Sequence, residues 1–372
     1  MRRRISAIAL LLLLALLCAV ALRNLTSGPM DEPASAPQPS ADVAADAAKR
    51  GADPGQATGS GETAKQARRL VAHESGPTDG EGCGGGSICL RSLLRRQNED
   101  GSWGAMTELF EGRDWSRQDA TAMVLLSFLG AGYSPLSKDR LGDLPVGDAI
   151  RAGIAWLDVH PPADAGGTAL VALALSEAAG LTGDPAMKES ADRALARLTA
   201  WQCGDGRWDG DAVAARFSTM ALASARIGDI PQLPALTGRA AARLRDSLAA
   251  GPDPDAAIQL LWLTREISDE NRESVREACR AAPPAADAPA YIRWYFDTVA
   301  LFQVDGPKGE AWKTWSLAIR EVIIPSQGRE GTWPGGGGPT TSAVRDSLAV
   351  MTMEIYYRYA NAPAVKASAE KK

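Results

Sequence analysis

Aromatic side chains are missing from the first 102 residues of this 372-residue chain. Its 10 Trp, 6 Tyr and 5 Phe begin at Trp103 and end at Tyr359. A core cannot form without large apolar side chains, so the packed region is predicted to span residues 83–360. Histidine is nearly absent: His73 and His160 are the only two, which leaves little for histidine-based catalysis or metal ligation. Basic blocks are lacking beyond the arginines of residues 1–4. With 40 basic against 45 acidic residues the net charge is −5, so the concentrated basic face of a nucleic-acid binder is excluded. Strand-like alternation is also missing, which argues for an all-helical domain.

One long hydrophobic run is present. Residues 5–22 come after three arginines, contain Ser6 as their one polar residue and end before Arg23. This segment reads either as an uncleaved signal anchor or as a signal peptide with Ala19-Val20-Ala21 as its cleavage site; both export the remainder of the chain. Cys18 is preceded by Leu17, where a lipoprotein signal has a small residue. Residues 23–82 are rich in Ala, Pro, Gly, Ser and Asp and read as a disordered tether. Residues 361–372 read as a polar, frayed tail. Export makes disulfides the expected fate of the cysteines, with Cys83–Cys89 and Cys203–Cys279 as one of three pairings.

Within 83–360 one pattern recurs three times. Gln97-Asn-Glu-Asp-Gly101-Ser-Trp103, Gln202-Cys-Gly-Asp-Gly206-Arg-Trp208 and Gln327-Gly-Arg-Glu-Gly331-Thr-Trp333 all fit Gln-x3-Gly-x-Trp. Each comes after a helical stretch, so the glycine is placed to end the helix and the tryptophan to bury itself in the turn. Between these elements two helix types alternate. Residues 120–131, 168–179, 217–227, 256–263, 294–302 and 348–357 are apolar nearly all round, and so are predicted to be buried on every side. Residues 88–96, 149–157, 191–201, 240–248, 272–280 and 312–324 are amphipathic, with one wet face. Six of each predict an (α/α)6 toroid, an inner helical barrel within an outer ring.

The three Gln-x3-Gly-x-Trp elements resemble the QW motifs of squalene–hopene cyclases and the prenyltransferase/squalene-oxidase repeat. Residues 120–133, 291–303 and 347–359 resemble a bacterial group of exported or anchored toroid proteins. The resemblance covers about residues 85–360. It implies the toroid fold and a fastening role for Gln97, Gly101, Trp103, Gln202, Gly206, Trp208, Gln327, Gly331 and Trp333.

The family's chemistry is a separate question. Its acid motif, Asp-x-Asp-Asp-Thr-Ala, has its nearest match at Arg117-Gln118-Asp119-Ala120-Thr121-Ala122. That alignment makes Asp119 the catalytic candidate, but the neighbouring carboxylates are replaced by Arg117 and Ala120. Arg117 is expected to hold Asp119 ionised, the opposite of what a proton donor needs; a helix-start carboxylate is the plainer reading. Related prenyltransferases bind zinc through Asp, Cys and His, and neither histidine falls on an inner helix. Asp205, Asp209 and Asp211 read as a solvated turn, lacking the spacing of a calcium loop. Gly82-Cys83-Gly84-Gly85-Gly86 resembles the thioester motif of complement-like toroids but has Gly86 where the reactive glutamine belongs. No metal or cofactor is expected.

Helix starts and inner faces are predicted to bring Trp115, Asp119, Arg216, Tyr291, Arg293, Trp294, Asp297, Arg345 and Asp346 toward a central cavity. Asp297 and Arg345–Asp346 read as a salt bridge between inner helices, or, with Asp119 opposite Asp297, as the paired carboxylates of a glycoside-cleaving enzyme. The sequence thus predicts a membrane-tethered, extracytoplasmic binding or scaffold module for a lipid, peptide or glycan. The alternative is an enzyme, either a divergent terpenoid cyclase or a carbohydrate-active one.

Overall fold

A computed structural model of the chain describes residues 84–227, 234–335, 342–359 and 366–367. The predicted export segment, tether and Cys83 lie outside the described residues.

Among the described residues twelve helices alternate between ring and barrel. In chain order they are α1 (Gly84–Arg95), α2 (Arg117–Gly130), α3 (Val146–Val159), α4 (Ala165–Thr182), α5 (Pro185–Leu198), α6 (Ala212–Ile227), α7 (Pro234–Ala250), α8 (Pro254–Thr264), α9 (Asp269–Arg280), α10 (Tyr291–Asp305), α11 (Glu310–Ser326) and α12 (Ala343–Tyr359). Even-numbered helices build the inner barrel. α2 packs on α4, α4 on α6, α6 on α8, α10 on α12, and α12 returns to α2. Trp262 of α8 meets Phe296 of α10, with ring centroids 6.5 Å apart.

The burial pattern is a consequence of composition. α2 is buried without a break from Asp119 to Gly130, and α4 from Ala165 to Ser176. α4 is apolar and long enough to cross a membrane, but most of it is buried inside this barrel. Its many alanines leave no bulk to hold neighbours off, so α2 and α6 approach closely on either side. The outer helix α9 buries only Val275 and Cys279, the narrow stripe its charged sequence permits. Capping marks the starts: Asp164, Asp184, Asp253 and Ser268 each accept a backbone N–H of the first turn of α4, α5, α8 and α9.

The three Gln-x3-Gly-x-Trp elements lie at outer-helix ends and each grips the next outer helix. Trp103 donates its indole N–H to Leu93 O of α1 (2.8 Å), while Gln97 donates to Ala149 O of α3 (2.9 Å). Gln202 donates to Leu236 O of α7 (3.0 Å). Trp333 donates to Ile323 O of α11 (2.8 Å), and Gly331 lies against the Ile88–Cys89 backbone of α1. Gly101, Gly206 and Gly331 all have φ between 76° and 90°, and a β-carbon on each would stand within 2.8 Å of the facing backbone. Glycine is required there for both conformation and approach. The third element joins the last outer helix to the first.

Three expectations are corrected. Strands do occur: β1 (Thr107–Phe110) pairs antiparallel with β2 (Arg113–Ser116), and β3 (Arg140–Leu141) with β4 (Leu144–Pro145). Glu111 and Gly112, both at positive φ, form the two-residue turn between β1 and β2. In the expected tail, Lys366–Ala367 forms β6, parallel to β5 (Glu266–Ile267). Cys89, Cys203 and Cys279 are free thiols, so the suggested disulfides are not formed.

Candidate functional site

The N-terminal ends of the inner helices gather at one mouth of the barrel, and the β1–β2 hairpin lies across it. Its alternation is unusual for a strand over a core: Glu108 and Trp115, paired across the ladder, are buried, while Leu109 is exposed. Each inward polar side chain finds an inner-helix start. Arg113 Nη1 donates to both oxygens of Asp211, 2.7 and 2.6 Å away, beside the first turn of α6. The Arg113 guanidinium also stacks on Trp115, 4.9 Å from the ring centroid. Glu108 accepts the Ser342 hydroxyl just before α12, and Glu111 accepts the N–H groups of Tyr291 and Ile292 that open α10.

Asp119 sits in the first turn of α2 beneath β2. It completes a capping box with Ser116: Oδ2 accepts Ser116 N (2.8 Å) and Ser116 Oγ (3.0 Å), and Asp119 N donates to Ser116 Oγ (3.2 Å). Asp119 Oδ1 is buried and has no protein partner. Burial pushes its carboxyl up to about 6; Asp164 adds to that push, and the Ser116 contacts and Arg113 only partly oppose it. Gly167, at the start of α4, lets that helix approach the free oxygen closely: a β-carbon there would stand 2.9 Å from it.

This reverses the expectation for Asp119. Arg117 does not hold it ionised; that side chain points away to Asp100, 3.5 Å distant. The other candidates divide into mouth and frame. Trp115 lines the mouth, and Tyr291 closes its α10 side, its phenol pushed up to about 12 by burial. Trp294 is core, edge-on to Tyr291 at 5.0 Å. Arg216 pairs with Asp255 of α8 (2.6 Å) and covers Phe296. Asp346 is a strut, accepting Arg96 just past the end of α1 (2.7 Å) and Trp333 N (3.0 Å), with Arg345 3.6 Å away. Burial raises the Asp346 carboxyl, and Arg96 offsets part of the rise.

Two expected pairings fail. Asp297 bonds Arg293 on its own helix (3.0 Å), not Arg345 across the barrel. Asp119 and Asp297 do not act on each other; burial first, then separate sets of neighbours, sets the charge of each. Asp205 pairs with Arg207 and Asp211 with Arg113, so the acidic turn does not converge on one point.

Sequence reading missed Glu108, Glu111, Arg113, Asp164 and Ser342, and took Asp211 for part of a solvated turn. Asp164 and Asp211 stood where capping residues precede apolar helices, and Glu111-Gly112 was a legible turn. Asp211 accepts Ala214 N at 2.8 Å. Burial works against its charge, but that N–H and Arg113 outweigh it and hold the carboxyl below its ordinary range.

No protein-family profile and no curated protein matches the chain. Among solved structures it is similar to the GH76A α-1,6-mannanase of Salegentibacter sp. HEL1_6. The likeness to an inactive variant in complex with α-1,6-mannotriose has a TM-score of 0.53 at 12% identity, covering 73% of this chain and 98% of that one. A second structure of the mannanase gives the same TM-score and identity, with 97% of its chain covered. At this identity the likeness establishes the fold: an α/α toroid.

Proposed function

We propose that this toroid is a carbohydrate-recognising module, engaging a glycan at the N-terminal mouth of its inner barrel and held on the extracytoplasmic side of a membrane by residues 1–22. The observation that carries the reading is Asp119: a buried carboxyl with one unpartnered oxygen, beside Arg113, Asp164 and Trp115. A carboxylate and a guanidinium suit sugar hydroxyls, and an indole suits the apolar face of a pyranose ring. The mannanase likeness adds support, because a toroid of this form is known with an oligosaccharide bound.

Recognition without turnover is the main reading. The mannanase is inactivated when two consecutive aspartates become asparagine, and this sequence contains no two consecutive aspartates. Asp119 also lacks an opposing carboxylate on α10. A second reading, glycoside cleavage with Asp119 as general acid, is favoured by its raised carboxyl, protonated more readily than an ordinary aspartate. A panel of neutral and acidic oligosaccharides, α-1,6-mannotriose included, titrated calorimetrically into the full chain tests both. Recognition predicts binding that Asp119→Ala removes, without release of reducing ends. Release of reducing ends that Asp119→Asn abolishes selects the enzyme. Failure of the whole panel to bind sinks the glycan reading.

A further inference from the structure

We propose that the β1–β2 hairpin is a hinged lid over the barrel mouth, latched by Arg113 on Asp211 and by Glu108 and Glu111 on the starts of α12 and α10. Lifting it admits ligand to Asp119. The lid deepens the glycan reading, on which the nature of its ligand rests, but its motion is independent of any ligand.

The hairpin is tethered at two narrow points. Gly104, at φ 81°, leads into β1 from the first fastening element, and Ser116 ends β2 as the cap of α2. Between them the contacts with the barrel are the polar clasps and two aromatic rings. Phe110 and Trp115 pack inward, while Met106 and Leu109 stay exposed, 72% and 61%. A segment held by three polar clasps and two aromatic rings belongs to the low end of local stability. What it covers is unlike ordinary core: Asp119 is 2% exposed with an oxygen lacking a partner, and on the lid's inner side Arg113 Nε also lacks one. A side chain in that state has a cost when closed that an incoming hydroxyl removes.

The latches set a pH response. Glu108 faces Ser342, the Ala343 N–H, Arg345 and Asp346; Glu111 faces the N–H groups of Tyr291 and Ile292; Asp119 faces Ser116, Arg113 and Asp164. Burial dominates at Glu108 and Asp119 and raises both carboxyls; Glu111, exposed at the turn, is raised by partial loss of water alone. In a lifted lid these groups regain water and the ordinary carboxylate range. The closed form therefore holds protons more tightly than the open one. Closure is fully favoured below the ordinary range and weakens as pH rises through the raised values, so the lid opens toward neutral pH.

Hydrogen–deuterium exchange of the full chain without ligand, between pH 5 and 8 and corrected for intrinsic rate, tests this. The 107–116 segment should exchange faster than α2 and accelerate with pH. Arg113→Asp should speed it about fivefold, the factor for a clasp of about 1 kcal/mol, with α2 unchanged as the check on folding. Adding Asp211→Arg should restore most of the protection, and Glu108→Gln with Glu111→Gln should reduce the pH dependence to the part that Asp119 carries. Protection equal to that of α2 at every pH, or exchange unmoved by the charge reversal, overturns the lid. If the lid opens as described and no oligosaccharide binds, the glycan reading fails and the lid stands. If an oligosaccharide binds while exchange of 107–116 is unaltered, the hairpin is not its gate.

Discussion

Replacing Gly331 by alanine is expected to cost about 3 kcal/mol of folding stability, several times the cost of the same change at Gly183. Both glycines are left-handed, at φ 76° and 64°. An L-residue there costs about 1–2 kcal/mol, offset by about 0.4–1 kcal/mol from a stiffer unfolded chain. At Gly183 a new β-carbon meets nothing within 4 Å, so the net is about 1 kcal/mol or less. At Gly331 the β-carbon stands 2.8 Å from Ile88 C, Ile88 O and Cys89 N, all backbone atoms of α1. Ordinary contact begins at 3.4 Å, so the turn must retreat by roughly half an ångström. Two residues on, Trp333 is 1% exposed and holds Ile323 O at 2.8 Å. Forcing that side chain outward adds about 1–3 kcal/mol of packing loss and strains a hydrogen bond worth about 1 kcal/mol. Urea unfolding of the full chain monitored by circular dichroism compares the two variants. Equal costs at the two positions would refute the claim that the third element bears on α1.

Asp119→Asn should change the pH profile of stability. The folded carboxyl, at about 6, lies above its ordinary 3.8. Its favourable contribution is therefore complete below the ordinary value and lost as pH rises through 6, a swing on the order of 2–3 kcal/mol. Urea midpoints at pH 4.5 and 7.5 should show the wild type losing ground to the variant at the higher pH; parallel profiles would contradict it. Cys89 and Cys279 are buried and their thiols are raised, Cys279 to about 12, so both should resist iodoacetamide in the folded protein while the partly exposed Cys203 reacts. Peptide mapping after brief labelling at pH 8 reads this, and rapid labelling of Cys279 would count against the packing of α9 on α10.

The barrel was legible because its signal is repeated: each inner helix is apolar on all sides, so each is identifiable alone. The fasteners were legible because glycine and tryptophan sit at fixed spacing in a turn that tolerates no substitute. The site was legible only in part, and Asp119 shows why. Arg117, two residues away in sequence, was assigned to it, but residues i and i+2 do not face each other on a helix, and Arg117 turns to Asp100 instead. The carboxyl's surroundings come from β2, α4 and the capping serine, none of which its sequence neighbours announce. Asp297 was given a distant partner when a local one, four residues back, was in reach. The hairpin escaped notice for a different reason. On β1 the buried position carries Glu108 while Leu109 is exposed, and β2 is too short for Trp115 to stand out, so the alternation that reveals a strand over an oily core is inverted over a polar mouth.

The contact of Gly331 with the first turns of α1 has an evolutionary consequence. An open stack of helix pairs can gain or shed a unit at either end, because each unit answers only to its neighbours. Here the first and last outer helices are each other's neighbours, so there is no end at which to add. A duplicated pair would have to break the seam, widen the whole circle and re-aim every inner helix at a larger centre. Change is channelled instead into the connections, such as the one between α1 and α2 that carries the β1–β2 hairpin.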